Sequence, residues 1–405
     1  MTLTNWNIDN ITDLHIELSS ICNSVCPGCP RYVSHSPNVE IALSEITITQ
    51  FKSWFPEQFM KKLKKIDFCG NFGDPMAASD IEQILEYCSD TGIHNVTVRT
   101  NGGLRSVSLW ENIGKIFARN PSWLMVFSVD GLEDTNHLYR RNVSWNKLKN
   151  NIKAFNSQNG YSRWEFLIFR HNEHQIEEAR NLSKEWNFNE FYSKGALGLD
   201  DGKNLRAMPA QDINGKVEYW LMPPLDKNNR SFQTDDETVT YADPNALLNT
   251  VEKNKNTSRY ADYGNFRNIS FNVEEDLNHS KSEIRCRVMD QSKQTVSIYI
   301  DSQGTVFPCC WTGLYFRKKY SDFTNKIALS ISDYQFFSKI LTYGIDKIML
   351  NAKSIEDIIN SGYLNEVYAN TWNCASVETG KLAFCSKNCG IANSLDNLFL
   401  KKTIL

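Results

Sequence analysis

The chain has 405 residues, 41% of them hydrophobic, enough for an ordinary globular core in two domains or in one domain with a large appendage. Its 44 Lys and Arg stand against 47 Asp and Glu, a net charge of −3, so no basic field points to nucleic acid or to an anionic membrane. The N-terminus, Met1–Asp9, has neither a basic start nor an apolar run, and no later run approaches the ~20 residues that span a bilayer, so a cytoplasmic protein is expected.

From residue 12 to about 195, short apolar strands alternate with amphipathic helical stretches, the pattern of successive βα units on a mostly parallel sheet. The expected strands are Leu14–Leu18, Ile66–Cys69, Val96–Thr100, Leu124–Val129, Glu165–Phe169 and Phe188–Tyr192. Helices are expected near 44–62, 79–91, 106–118, 145–156 and 174–186. In the second of these Ile81, Ile84, Leu85 and Cys88 share one stripe, which makes Cys88 a core thiol. Six strands with intervening helices make a partial (β/α)6 barrel, which places ligands in the loops at the carboxyl ends of its strands. Residues 196–285 are polar and weakly periodic and read as a linker or an elaborated loop region. Order resumes with a hairpin, Thr295–Ile300 and Thr305–Phe307, turning at Asp301-Ser302-Gln303-Gly304. Helices near 331–342 and 354–368 follow, so residues 286–405 read as a separate α+β domain.

An odd total of eleven cysteines in a reducing compartment reads as metal chemistry and not as a disulfide framework. Cys22, Cys26 and Cys29 stand at C-x3-C-x2-C spacing on the loop after the first strand. Three thiolates on one loop suit a soft metal centre that keeps a coordination position open, and zinc with a distant fourth ligand is the alternative. Six further cysteines, Cys286, Cys309, Cys310, Cys374, Cys385 and Cys389, fall in the last third. Cys69 stands by itself, as a packed thiol or a hydrogen donor.

The three-cysteine spacing resembles the signature of the radical S-adenosylmethionine (radical SAM) superfamily, which uses it to hold a [4Fe-4S] cluster. Gly70-Asn71-Phe72-Gly73-Asp74 after the second strand is similar to that superfamily's glycine-rich, acid-ended motif, which receives the ammonium group of S-adenosylmethionine. Thr100-Asn101 ends the third strand, and Ser128-Val129-Asp130-Gly131 ends the fourth, similar to the element that bonds the cofactor's ribose and carboxylate. The resemblance spans residues 12–195 and implies cofactor contacts at Gly70, Asn71, Gly73, Asp74, Thr100, Asn101, Ser128 and Asp130. One departure is Gly28, which stands where most members carry an aromatic residue that packs near the adenine; Phe72 and Phe169 are candidates to replace it by position, with core packing as their other role.

The last third resembles the SPASM and Twitch extensions of the superfamily, which carry auxiliary iron–sulfur clusters. Six cysteines are one short of the seven that two clusters need, so one auxiliary [4Fe-4S] cluster is implied, on Cys286, Cys309, Cys385 and Cys389, with Cys310 and Cys374 as alternates and structural zinc as the competing occupant. The implied activity is reductive cleavage of S-adenosylmethionine to a 5′-deoxyadenosyl radical that takes a hydrogen atom from substrate, with flavodoxin or ferredoxin as electron donor. A ribosomally made peptide is the first substrate expectation; a sugar, nucleoside or amino acid is the second. The 21 residues before Cys22 are too few for a leader-binding domain. A non-catalytic zinc or iron–sulfur module is the reading from a different class. Arg140 and Arg141 are candidate partners for the cofactor carboxylate or residues of a solvated helix start, and His137, His171 and His174 are candidate proton donors or structural histidines.

Overall fold

A computed structural model describes residues 6–33, 36–37, 41–200, 204–234, 238–241, 402–404 and, with short gaps, 284–389. The strands used below are β1 (Ile11–Ile16), β2 (Lys65–Phe68), β3 (Asn95–Thr100), β4 (Leu124–Ser128), β5 (Ser162–Ile168), β6 (Glu190–Gly195), β7 (Leu205–Gln211), β8 (Val217–Leu221), β9 (Val239–Tyr241), β10 (Met289–Asp290), β11 (Thr295–Ile300), β12 (Val306–Phe307) and β13 (Lys402–Ile404). The helices are α1 (Ile48–Trp54), α2 (Ile81–Asp90), α3 (Val107–Ala118), α4 (Trp145–Asn156), α5 (Ile176–Glu185), α6 (Cys310–Thr324), α7 (Ile331–Tyr343) and α8 (Ile355–Asn360). Chain contacts divide the molecule into two compact units.

One unit comprises residues 17–48, 65–249 and 396–405. In it β2, β3, β4, β5 and β6 pair in that order, all parallel, and β13 adds antiparallel to β6. A helix separates each parallel strand from the next, the alternating βα arrangement expected of a partial (β/α)6 barrel. β-Branched Val96, Thr97 and Val98 favour the extended backbone, and Ser106 and Ser144 start α3 and α4 by accepting from the N–H groups of Leu109 and Lys147. The helix-facing side of the sheet is aromatic: Phe127 meets Trp110, Phe155 and Phe188 with ring centroids 5.3, 5.8 and 5.7 Å apart. Cys88 lies fully buried on α2 with Ile81, Ile84 and Leu85.

The opposite face of the same strands is charged. Arg99 on β3 bonds Glu165 on β5 at 2.9 Å and lies 3.6 Å from Asp67 on β2, while Lys194 on β6 lies 3.4 Å from Glu165. Arg163 joins Glu190 at 2.6 Å. Against the effect of burial, the Arg99, Lys194 and Arg163 cations hold the Glu165 carboxyl below its usual range. Residues 205–241, expected as linker or elaborated loop, contain a three-stranded sheet in which β7 pairs antiparallel with β8 and parallel with β9.

The other unit comprises residues 1–16, 49–64 and 250–395. There β1 runs parallel to β11, and β10 and β12 pair antiparallel with β11, β12 through Tyr299↔Phe307 and Ile300↔Val306. The hairpin expected at 295–307 is therefore present, its turn braced by Asp301, whose carboxylate accepts from the N–H groups of Gln303 and Thr305. Helices α6, α7 and α8 follow. Among the described residues no helix is long and apolar enough to cross a membrane.

Candidate functional site

The site begins where the chain leaves Leu18. Cys22 is followed by a loop fastened at both ends to backbone: the Val25 N–H donates to the Arg141 carbonyl at 3.0 Å, and the Cys29 N–H donates to the Cys26 carbonyl at 3.1 Å. The second bond closes a tight turn with Pro27 and Gly28 at its centre. Gly28 has φ +75°, the left-handed conformation that such a turn needs after Pro and that glycine adopts without strain. A side chain there would also collide with Met208, whose Sδ lies 2.7 Å from the position of a Cβ. The unexpected letter in the motif thus has a local cause.

The three thiols are polarised from several sides. Asn101 Nδ2 donates toward Cys22 Sγ at 3.5 Å, the Ser24 N–H toward the same sulfur at 3.4 Å, and Arg140 Nη1 toward Cys26 Sγ at 3.7 Å; Ser24 Oγ lies 3.0 Å from Cys26 Sγ. Burial, with Asp74 nearby, pushes the Cys22 thiol up to about 12, and burial with the Cys26 thiol pushes Cys29 up to about 11. Such thiols stay protonated at neutral pH unless a cation displaces their protons, and soft iron is a centre this donor set fits. No three His, Cys, Asp or Glu side chains that could hold a metal ion are found among the described residues. That concerns ligands gathered about one ion, whereas a cluster takes one thiolate per iron.

Around this loop stand the ends of β2, β3 and β4. After β2, Gly70, Asn71 and Gly73 are half-buried. Gly73 has no room for a side chain, since a Cβ would lie 1.8 Å from the Ser19 carbonyl oxygen. Glu17, which sequence reasoning did not single out, is the brace of this loop: its buried Oε1 accepts from the N–H groups of Phe72 at 2.7 Å and Gly73 at 3.2 Å. Its signal was a lone carboxylate in an otherwise apolar strand end.

Asp74 is buried, and burial raises its carboxyl, opposed by the bonds it accepts. Its Oδ2 accepts from Thr100 Oγ1 at 3.0 Å and the Asn101 N–H at 2.8 Å, and its Oδ1 from the Met76 N–H at 2.9 Å. It therefore ties the β2 loop to the β3 loop. Asn101 in turn donates to Asn23 Oδ1 at 2.8 Å, joining the β3 loop to the cysteine loop. Ser128 is half-buried at the end of β4, and Asp130, with no exposed surface, accepts from Arg140 Nε at 2.6 Å and from the Leu167 N–H at 2.6 Å.

Hydrogen bonds thus link the cysteine loop through Asn101 to Asp74 and Thr100, and through Arg140 to Asp130, and the eight residues expected at the cofactor fall into two groups. Gly70, Asn71, Gly73 and Ser128 keep partial exposure, while Asp74, Thr100, Asn101 and Asp130 are buried and hydrogen-bonded within the protein. Arg140 is a half-buried partner of Asp130 and Cys26, and Arg141 bonds the Gln211 carbonyl at 2.9 Å and Glu218 at 2.5 Å, so neither belongs to a solvated helix start. Phe72 and Phe169 are core residues, 4% and 0% exposed. Burial, with Asp67 beside it, pushes the Cys69 thiol up to about 12 and keeps it protonated.

His171 stacks on Phe169 with centroids 5.3 Å apart, and its buried Nε2 has no hydrogen-bond partner among the described residues. Burial, with His137 and His174 nearby, lowers its pKa to about 4. In the unfolded chain the imidazole takes up its proton near pH 6.5, so the unfolded state binds more protons between pH 6.5 and 4 and stability falls as pH drops through that window. At pH 5 the loss amounts to about 2 kcal/mol. A His171→Phe variant is expected to flatten the pH dependence of thermal unfolding between pH 6.5 and 4; an unchanged slope would place the acid sensitivity elsewhere.

In the other unit the thiols of Cys286, Cys309, Cys385 and Cys389 sense one another. Burial and then Cys309, Cys389 and Cys385 push Cys286 well up, and burial, Cys309 and Cys389 do the same to Cys385. Cys309 rises to about 11, chiefly through burial. None of the eleven cysteines forms a disulfide. The alternates stand at the start of α6 (Cys310) and after the helical turn Asn370–Trp372 (Cys374).

No protein-family model and no curated protein matches the chain. Among solved structures it is similar to Streptococcus suis SuiB bound to S-adenosylmethionine, at 16% identity over 74% of this chain and 60% of that one, with TM-score 0.44. It is also similar to native anSMEcpe with bound AdoMet, at 16% identity over 93% and 89%, TM-score 0.46, and to anSMEcpe with AdoMet and the Cp18Cys peptide, at 15% identity over 91% and 88%, TM-score 0.41. The chain thus spans about three-fifths of the length of SuiB.

Proposed function

We propose that this chain is a radical SAM enzyme. One observation carries the proposal: the C-x3-C-x2-C loop is hydrogen-bonded to the ends of successive parallel strands, directly from Asn101 after β3 to Cys22, and through Arg140, which bonds both Cys26 and Asp130 just beyond β4. Cys22, Cys26 and Cys29 would hold a [4Fe-4S] cluster. Such a cluster, with one iron left to bind the amino-carboxylate end of S-adenosylmethionine, supplies reductive cleavage of the cofactor to a 5′-deoxyadenosyl radical.

The protein's share is placement and electrostatics. The partly exposed backbone at Gly70–Gly73 offers carbonyls to an ammonium group, and Glu17 fixes its shape. Ser128 offers a hydroxyl at the end of β4. Asp74 and Asp130 hold the loops in register from behind, so that little reorganisation accompanies binding. Arg140 keeps its charge because Asp130 and the Cys26 thiol outweigh the cost of burial, and it places a cation beside the cluster's sulfur ligands.

Cys286, Cys309, Cys385 and Cys389 would hold one auxiliary [4Fe-4S] cluster, and a flavodoxin or ferredoxin is the donor class suited to reducing such centres. A ribosomally made peptide is the substrate we favour, since extensions with a second cysteine group accompany peptide modification in the superfamily this chain resembles; a small molecule is the second reading. Anaerobic reconstitution followed by reduction with S-adenosylmethionine present tests the activity. Broad visible absorption and release of 5′-deoxyadenosine are expected, and a colourless zinc protein without cleavage would overturn the reading in favour of a binding module.

A further inference from the structure

We infer that Met208, on β7, supplies the apolar face against which the adenine of S-adenosylmethionine lies. The inference rests on the radical SAM reading of the site. It starts from a gap: Gly28 precedes the third cysteine of the loop, is exposed, and presents no side chain toward whatever the loop binds. The structure fills that gap from a distant segment. The Sδ and Cε atoms of Met208 lie 2.7 and 2.8 Å from where a Cβ of Gly28 would stand, and Cε lies 3.8 Å from the corresponding position at Gly198. Both glycines have positive φ and lack a Cβ, which leaves room for the thioether at Gly28, where a side chain would meet it.

Met208 is held there and not merely near. It packs against a buried apolar cluster that includes Phe169, Leu199 and Leu221, while remaining itself only half-buried. Its strand is tied to the site from the other side by Arg141, which bonds the Gln211 carbonyl two residues beyond Pro209 while its neighbour Arg140 reaches Cys26. An unbranched thioether is polarisable, adapts its shape and makes favourable contacts with aromatic faces. It therefore offers a purine what the missing aromatic ring would offer, from a sheet that the sequence reads as linker.

The test uses the reconstituted, reduced holoenzyme and follows the cluster's electron paramagnetic resonance spectrum during titration with two probes, S-adenosylmethionine and L-methionine. The second carries the same amino-carboxylate but no adenine. Met208→Ala is expected to weaken S-adenosylmethionine binding about fivefold to tenfold and to leave the methionine response unchanged, while Met208→Leu stays within about twofold of wild type. Equal S-adenosylmethionine affinity in Met208→Ala, or a matching loss for methionine, overturns the inference: the first leaves Met208 without a role in binding, and the second makes it a support of the loop. If the wild-type spectrum ignores S-adenosylmethionine altogether, the site reading fails and the inference with it, an outcome distinct from the other two.

Discussion

Replacing Cys22, Cys26 and Cys29 together by Ala is expected to reduce 5′-deoxyadenosine formation to background and to lower bound iron from roughly eight to roughly four atoms per chain, as one of two four-iron clusters is lost. Total loss follows from how the loop is built. Desolvation within the loop makes Cys22 hold its proton to about 12 and Cys29 to about 11, so a bound cationic centre is needed to make ligands of these two. The loop's shape does not depend on sulfur, since the backbone bonds from Val25 to Arg141 and from Cys29 to Cys26 remain in the triple variant. Its melting temperature without iron should therefore stay close to that of the iron-free wild type, which separates loss of chemistry from loss of fold. Persistent cleavage would remove these cysteines from the mechanism, and iron content near zero would contradict two separate cluster sites.

Much of this is legible in the sequence, and the exceptions share physical causes. Strands β2, β3 and β4 fall within a residue of their expected limits because their apolar residues advertise the helix-facing side. Strand β5 starts three residues earlier than expected, at Ser162, because Arg163 finds Glu190 across the sheet, and a charge paired in three dimensions looks like loop in one. The sheet of β7, β8 and β9 was obscured by Pro209 within β7 and by the register shift between Val217 and Tyr219, both of which blur alternation. Helix α6 mixes Trp311, Thr312 and Gly313 in its first turn and shows no apolar stripe.

At the site, the motif letters were readable but their division of labour was not. Asp74 and Asp130 look like ligand-binding carboxylates in one dimension, yet each spends its oxygens on neighbouring loops. Glu17 and Met208 escaped notice because a lone carboxylate in a strand end and a single methionine say little by themselves: each acquires its part only when a segment distant in sequence comes against it.

The second large effect expected is at the cysteines of the other unit. Cys286, Cys309, Cys385 and Cys389 come from three separate places, before β11, after β12 and near the end of the chain, so local structure alone does not explain their mutual proximity. Besides burial, Cys309, Cys389 and Cys385 raise the Cys286 thiol, Cys389 raises Cys309, and Cys309 and Cys389 raise Cys385, so thiolates there repel and a positive centre would relieve them. Changing all four to Ala should remove about half the iron and leave the spectrum of the Cys22–Cys29 centre with S-adenosylmethionine intact, because that loop and its partners lie in the other unit. Uncoupled formation of 5′-deoxyadenosine should persist in this variant, whereas any substrate conversion that passes an electron to the auxiliary centre should stop. Single Ala variants of Cys310 and Cys374 should keep their iron. An equivalent of zinc in the wild-type protein, lost from the quadruple variant without change in iron, would make the group a structural zinc site instead.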